Sequence, residues 1–194
     1  MKIDDLLQAT KEELFPARYE HTLRVMETAI QLAKQINGLE TEKVAVAAVL
    51  HDFCKCWPTI KLSQWIEHEL NNLDLLLYDK ELWHAPVGAE VVRSRFGVED
   101  EDILNAIRFH TTGRPNMSIL EKVIFIADVV EPGRSFPGVD ELRSLANSNL
   151  NQAILTSLNH TIRFLLDKGK KIYPLTLETR NALLDTLVKD KKEE

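Results

Sequence analysis

Cysteine is nearly absent from this chain. The two present, Cys54 and Cys56, lie too close together to staple a fold and lack the partner pair of a thiolate zinc site, so they read as packing residues. That excludes a disulfide framework and fits a reducing compartment. Long apolar runs are missing too: nothing approaches the roughly 18–20 residues of a membrane span. The start, MKIDDLLQATKEEL, carries acids where a secretory leader needs a basic start and an apolar stretch. The expected location is the cytoplasm, with no membrane partner. Positive charge is in deficit, 24 Lys and Arg against 30 Asp and Glu, a formal net charge of −6. This argues against nucleic acid as a partner and leaves any anionic substrate to a few placed cations or to metal. Strand signals are scarce, with no Asn-Gly or Asp-Gly turn between alternating runs.

What is present is helical periodicity, so the expected fold is all-α, a single domain over residues 1–194 long enough for a substantial core. The pattern predicts helices over about 3–14, 17–36, 41–52, 62–70, 86–96, 100–110, 118–130, 138–149, 150–168 and 177–190. Asn37-Gly38 and Gly97 act as stops, Thr41 as a cap, and Pro86 as a first-turn residue. A loop is expected over Thr111–Pro115 and another over Gly169–Thr176. There is no internal repeat, and no linker divides the chain.

One stretch organises the rest. In TEKVAVAAVLHDFCK, residues 41–55, seven apolar residues from Val44 to Leu50 run straight into His51-Asp52. An isolated pair of this kind is ordinarily a core helix reaching solvent. The other histidines and one misplaced acid change the balance: His21 on the second helix, His84 and His110 at helix boundaries, and Asp128 inside the apolar run VIFIADVV. A carboxylate amid Ile124, Phe125, Ile126, Val129 and Val130 is costly to bury unless a cation meets it. Four imidazoles and two carboxylates would suit a pair of divalent ions such as Fe, Mn, Zn or Co, with no thiolate needed. His68 and His160 fall outside this pattern and are expected at the surface.

The order H…HD…H…H…D resembles that of the HD-domain metal-dependent phosphohydrolases. More narrowly, RYEHTLRV at 18–25, AVLHDFCK at 48–55, HAPVGAEV at 84–91, FHTTGRPNMS at 109–118 and IADVVEPGR at 126–134 resemble the YqeK family of bacterial HD proteins. The closing IYPLTLETRN at 172–181 is also similar. The resemblance implies an HD-domain helical bundle with a metal site between helices. Its metal-binding core would cover about 17–134, and the helices of about 138–190 would complete the bundle and a nucleotide pocket. It also implies symmetrical hydrolysis of diadenosine tetraphosphate to two ADP at a di-iron centre. Carried over by position, His21, His51, Asp52 and Asp128 would hold one ion, and His84 and His110 the second, with Asp52 bridging. A hydroxide activated by the two metals would then attack phosphorus in line. ADP is a stable anion, so a strong general acid is not required.

Cations near these positions are candidate phosphate contacts. Arg24 lies one helical turn after His21, Lys55 follows Asp52 by three residues, and Arg134 follows the Asp128 helix. Arg24, Lys55 and Asp52 are the expected catalytic residues; His21, Arg24, Lys55 and Arg134 are expected to touch substrate. Thr111, Thr112 and Gly113 would offer donors beside His110. Lys171, Tyr173, Pro174 and Thr176 would help enclose a nucleoside, and Trp83 would stack on a base or serve the core. Other readings stay open at this point: a phosphohydrolase of dNTPs, nucleoside monophosphates or alarmones, or a non-catalytic helical module. The guanosine-alarmone hydrolases carry two acids where Lys55 and Cys56 stand, and a cation there suits additional substrate phosphate. A homodimer is compatible with the apolar content, although no interface is legible.

Overall fold

A helix that is apolar all round must be surrounded, and Val44–Leu50 dictates the architecture on that ground. In the computed structural model, which describes residues 2–193 and the side chains of residues 2–189, this segment forms α3 (Thr41–Leu50). Four helices enclose it: α1 (Ile3–Glu13), α2 (Pro16–Ala33), α6 (Glu101–Arg108) and α7 (Ile119–Val130). Val44, Ala47, Ala48, Val49 and Leu50 are fully buried. The remaining α-helices are α4 (Thr59–Trp65), α5 (His84–Phe96), α8 (Val139–Ser148), α9 (Leu150–Asp167) and α10 (Pro174–Glu193). Helix α5 packs on α6, while α9 packs on α7, α8 and α10 and so ties the C-terminal helices to the core. Among the described residues there is no strand, and the all-α expectation holds.

Boundaries differ in instructive ways. Glu40, not Thr41, occupies the N-cap of α3, and no side chain caps it. Helix α5 starts at His84, two residues before Pro86. Proline costs nothing there, because the first four helical N–H groups have no intrahelical partner in any case. The late loop ends at Tyr173: Pro174, with its φ preset, begins α10, so Pro174 and Thr176 belong to a helical first turn and not to a loop. The stretch between α4 and α5 is a wide turn over Ile66–Leu70 followed by two tight turns, Leu73–Leu77 and Lys80–Leu82. Helix α7 is fixed at its start by a capping box between Ser118 and Glu121. His160, expected at the surface, is half-buried against Gly138, whose φ of +90° and lack of a Cβ let the imidazole approach.

Candidate metal centre

Helix ends deliver the polar residues to one point. His51 and Asp52 follow α3 directly, His84 opens α5, His110 lies just beyond α6, Asp128 sits in the last turn of α7, and His21 comes from the body of α2. All four histidines and Asp52 are buried. Oδ1 of Asp52 lies 3.0 Å from Nε2 of His84 and 3.6 Å from Nε2 of His110. Its Oδ2 lies 3.4 Å from Nε2 of His51 and 3.9 Å from Nε2 of His21. Nε2 of His21 is in turn 3.0 Å from Oδ1 of Asp128. The structure thus brings together all six residues expected as ligands.

Hydrogen bonding sets the tautomers. Nδ1 of His51 donates to the Ala48 carbonyl and Nδ1 of His110 to the Ile107 carbonyl, each at 2.7 Å. A carbonyl only accepts, so each Nδ1 carries the proton and each Nε2 presents a lone pair to the cluster. Nε2 of His51 and Nε2 of His21 are buried without a hydrogen-bond partner. Orphaned inward lone pairs of this kind are expensive in a protein interior unless a cation meets them. The Nε2 atoms of His84 and His110 stand 3.1 Å apart, a separation that suits two neighbouring donors of one ion at about 2.1 Å each. Two subsets draw their donor atoms within 4.8 Å of one another: His21, His51 and Asp128, and His51, Asp52 and His110. The donor set, nitrogen and oxygen without thiolate, fits a divalent metal.

Electrostatics agree. Burial would raise the Asp52 carboxyl, but the imidazoles of His51, His110 and His84 packed around it hold it well below the usual carboxylate range. Burial would likewise raise Asp128, yet His21, His51 and Arg134 keep it ionised. Burial pushes His84 down to about 4, against the pull of Asp52, so it is neutral and can act as a ligand.

An open cavity of about 600 Å³ adjoins this cluster, lined by His21, Arg18, Arg24, Lys55, Arg134 and Glu131, with Phe15 and Trp57 among the apolar lining residues. Every cation here already has a partner. Arg18 Nη1 donates to Asp52 Oδ2 at 2.9 Å, Arg24 Nε to Glu131 Oε2 at 2.6 Å, Arg134 Nη2 to Asp128 Oδ1 at 2.6 Å, and Lys55 Nζ to Glu81 Oε2 at 2.9 Å. A smaller cavity of about 230 Å³ is lined by Thr111, Thr112, Tyr173 and Leu175 among others. Trp83, Gly113, Lys171, Pro174 and Thr176 line neither. Trp83 donates Nε1–H to the Leu75 carbonyl at 3.1 Å, and Lys171 donates to the Leu77 carbonyl at 3.2 Å. A Cβ on Gly113 would meet Cγ2 of Thr179 at 2.5 Å, so its role is close packing of α10. Cys54 is buried, which pushes its thiol up, as befits a packing residue, whereas Cys56 lines the open cavity.

Two charged residues escaped the sequence reading. Arg18 precedes His21 by the same three residues by which Arg24 follows it, so the spacing that drew attention to Arg24 marks Arg18 equally. Glu131 left only a weak trace, because beside Pro132-Gly133 it reads as a helix stop. It is 2% exposed. Burial would raise it, but hydrogen bonds from Arg24, His21 and the Gly133 amide bring it to about 2.

A helical bundle that gathers four buried imidazoles, the buried Asp52 and the half-buried Asp128 under a cationic mouth defines a metal-dependent hydrolase type of centre. The sequence profile described as HD domain matches residues 18–133, and the chain belongs to the HD-domain family. It is 53% identical to the symmetrical bis(5'-nucleosyl)-tetraphosphatase of Halalkalibacterium halodurans, over 92% of this chain and 95% of that one. It is 47% identical to the protein of the same name from Bacillus subtilis, over 95% and 98%. A solved Clostridium acetobutylicum structure, described as a predicted HD superfamily hydrolase involved in NAD metabolism, superposes with a TM-score of 0.89 at 43% identity, covering 96% of this chain and 98% of that one. The family resemblance expected from the five motifs is borne out. Among the described residues no helix is long and apolar enough to cross a membrane.

Proposed function

We propose that this protein hydrolyses diadenosine tetraphosphate symmetrically to two ADP, with His21, His51, Asp52, His84, His110 and Asp128 holding two divalent metal ions. The observation that carries the reading is the convergence of these six side chains beside a mouth lined by Arg18, Arg24, Lys55 and Arg134. Relatives at 47–53% identity over nearly their full lengths carry that activity in their names. When bound, the ions supply Lewis-acid polarisation of phosphoryl oxygens and a water acidified toward neutral pH. Oxygen and imidazole donors without thiolate suit iron or manganese, and of the two we propose iron.

The chain's own residues do the rest. Asp52, between His51, His84 and His110, supplies the central negative charge around which cations gather. The tautomers of His51 and His110 are set by backbone carbonyls, so their lone pairs need no rearrangement on metal uptake. Each mouth arginine spends one or two of its five N–H donors on a carboxylate and retains others for phosphate oxygens. A chain of four phosphates crossing this mouth is thereby oriented. The departing ADP leaves as a stable anion, so no side chain has to protonate it. Anaerobic incubation of the iron-loaded protein with diadenosine tetraphosphate, followed by chromatography, tests the proposal. ADP as sole product supports it; ATP with AMP would mean asymmetric cleavage, and no turnover in a metal-replete sample would refute it.

A further inference from the structure

His51 and His110 have their tautomers fixed by carbonyls three residues back, and those carbonyls are available because each lies in the last turn of a helix. His21 has no such resource. It lies within α2, where backbone carbonyls are consumed by the following turn. Its Nδ1 instead meets Oε1 of Glu131 at 3.0 Å, a contact across 110 residues of sequence. Glu131 follows α7 directly, three residues beyond Asp128, so one helix end brings a carboxylate to each nitrogen of the same ring.

A neutral imidazole has one proton to give, and the two carboxylates differ in how they receive it. The Glu131 contact has hydrogen-bond geometry; Nε2, though 3.0 Å from Asp128 Oδ1, has none. Oδ1 of Asp128 is already served by Arg134 Nη2 at 2.6 Å. Glu131 is held in turn by Arg24 Nε at 2.6 Å and the Gly133 amide at 2.5 Å, both on Oε2, while Oε1, which Arg24 Nη2 reaches only at 3.5 Å, takes its shorter contact from His21. Gly133 makes this possible, since a Cβ there would fall 2.6 Å from Arg24 Nη2.

We infer that Glu131 is the positioning residue of His21: it keeps the proton on Nδ1, turns the Nε2 lone pair into the cluster, and recruits Arg24 to its own support. The inference rests on the reading of His21 as a metal ligand, and it adds to the place of Arg24 at the mouth a second one in the scaffold behind that ligand. A carboxylate behind a ligating imidazole both orients the ring and raises its basicity, and its loss typically costs about 10–100-fold in metal affinity.

Two measurements on the full chain test it. In the metal-free protein, nitrogen-15 NMR of the histidines should show His21 as the Nδ1–H tautomer; an Nε2–H tautomer overturns the inference, whatever happens with metal. Titration with Mn²⁺ should then show affinity falling about 10–100-fold in Glu131→Gln, with partial recovery in Glu131→Asp, which keeps a carboxylate. Equal Mn²⁺ affinity in wild type and Glu131→Gln overturns it. A wild-type chain that takes up no Mn²⁺ while His21 holds its proton on Nδ1 sinks the metal reading and leaves the pairing of Glu131 with His21 standing.

Discussion

The carboxylate of Asp52 is divided between two kinds of partner: Oδ1 faces His84 at 3.0 Å, while Oδ2 accepts from Arg18 Nη1 at 2.9 Å. Arg18 therefore touches both the central acid and the cavity by which a polyphosphate would enter. Removing it deletes a charge-assisted hydrogen bond of roughly 1.5–3 kcal/mol. Arg18→Ala should lower kcat/KM for diadenosine tetraphosphate by about 10–150-fold. Arg18→Lys, which restores charge without the planar fork, should fall between. Steady-state kinetics decide, and wild-type values in Arg18→Ala would remove this residue from the site.

Arg134 stands in the same relation to Asp128, donating Nη2 to Oδ1 at 2.6 Å and Nε to the Asp128 carbonyl at 2.9 Å. From sequence it is an expected phosphate contact; in the structure it also neutralises the Asp128 carboxylate. In the metal-free protein Arg134→Ala should destabilise by roughly 1.5–3 kcal/mol, because Asp128 loses its cation. Divalent metal supplies a replacement charge, so the gap to wild type should narrow when both are loaded with Mn²⁺. Thermal melts with and without metal check this. A gap indifferent to metal would mean that Arg134 acts only as packing.

The fold was legible because it rests on local signals. Apolar periodicity and the stop at Gly97 each act within one helix, and strand patterns are scarce; only the end of α2, at Ala33, falls short of the expected stop at Asn37-Gly38. The cluster was legible because imidazoles and carboxylates in or beside apolar segments are costly without a purpose. What stayed hidden depends on contacts between distant segments. Glu131 is explained by His21, 110 residues away. Gly113 resembles a loop donor until Thr179 is seen packed where its Cβ would be. Arg24, one turn from His21, lines the cavity, but spacing along one helix could not reveal that the acid following α7 would claim it.

Gly113 offers a clean test of that distinction. Its φ of +63° disfavours any L-residue, and its missing Cβ makes room for Cγ2 of Thr179. Gly113→Ala should lose roughly 1–2 kcal/mol to backbone strain and about 1–3 more to overpacking. Adding Thr179→Ala removes the clash but not the strain, so the double variant should recover only part. Urea unfolding of the three variants and wild type measures this. A double variant no more stable than Gly113→Ala would show that Thr179 is not what confines this position.

Asp100 joins α3 to α6 away from the site. As N-cap it accepts from the amides of Asp102 at 2.9 Å and Ile103 at 3.4 Å, and its Oδ2 lies 2.9 Å from Lys43 Nζ. Asp100→Ala should cost about 1 kcal/mol for the lost cap. Asp100→Asn, which still caps, should stay within about 0.5 kcal/mol of wild type, since an ion pair this exposed contributes little. The hydrogen bond from Lys43, opposed by burial and aided by the two amides, holds the carboxyl below its ordinary 3.8. A lowered carboxyl stabilises fully above the unfolded value and loses that contribution as pH falls through the folded one. The stability gap between wild type and Asp100→Ala should therefore be constant from pH 7 to about 5 and narrow as the pH drops below 3.8, by no more than the roughly 0.5 kcal/mol allotted to the charge, since a protonated carboxyl still caps. Urea titrations across that range are the measurement, and a gap that widens in acid would mean the cap works through something other than the ionised carboxylate.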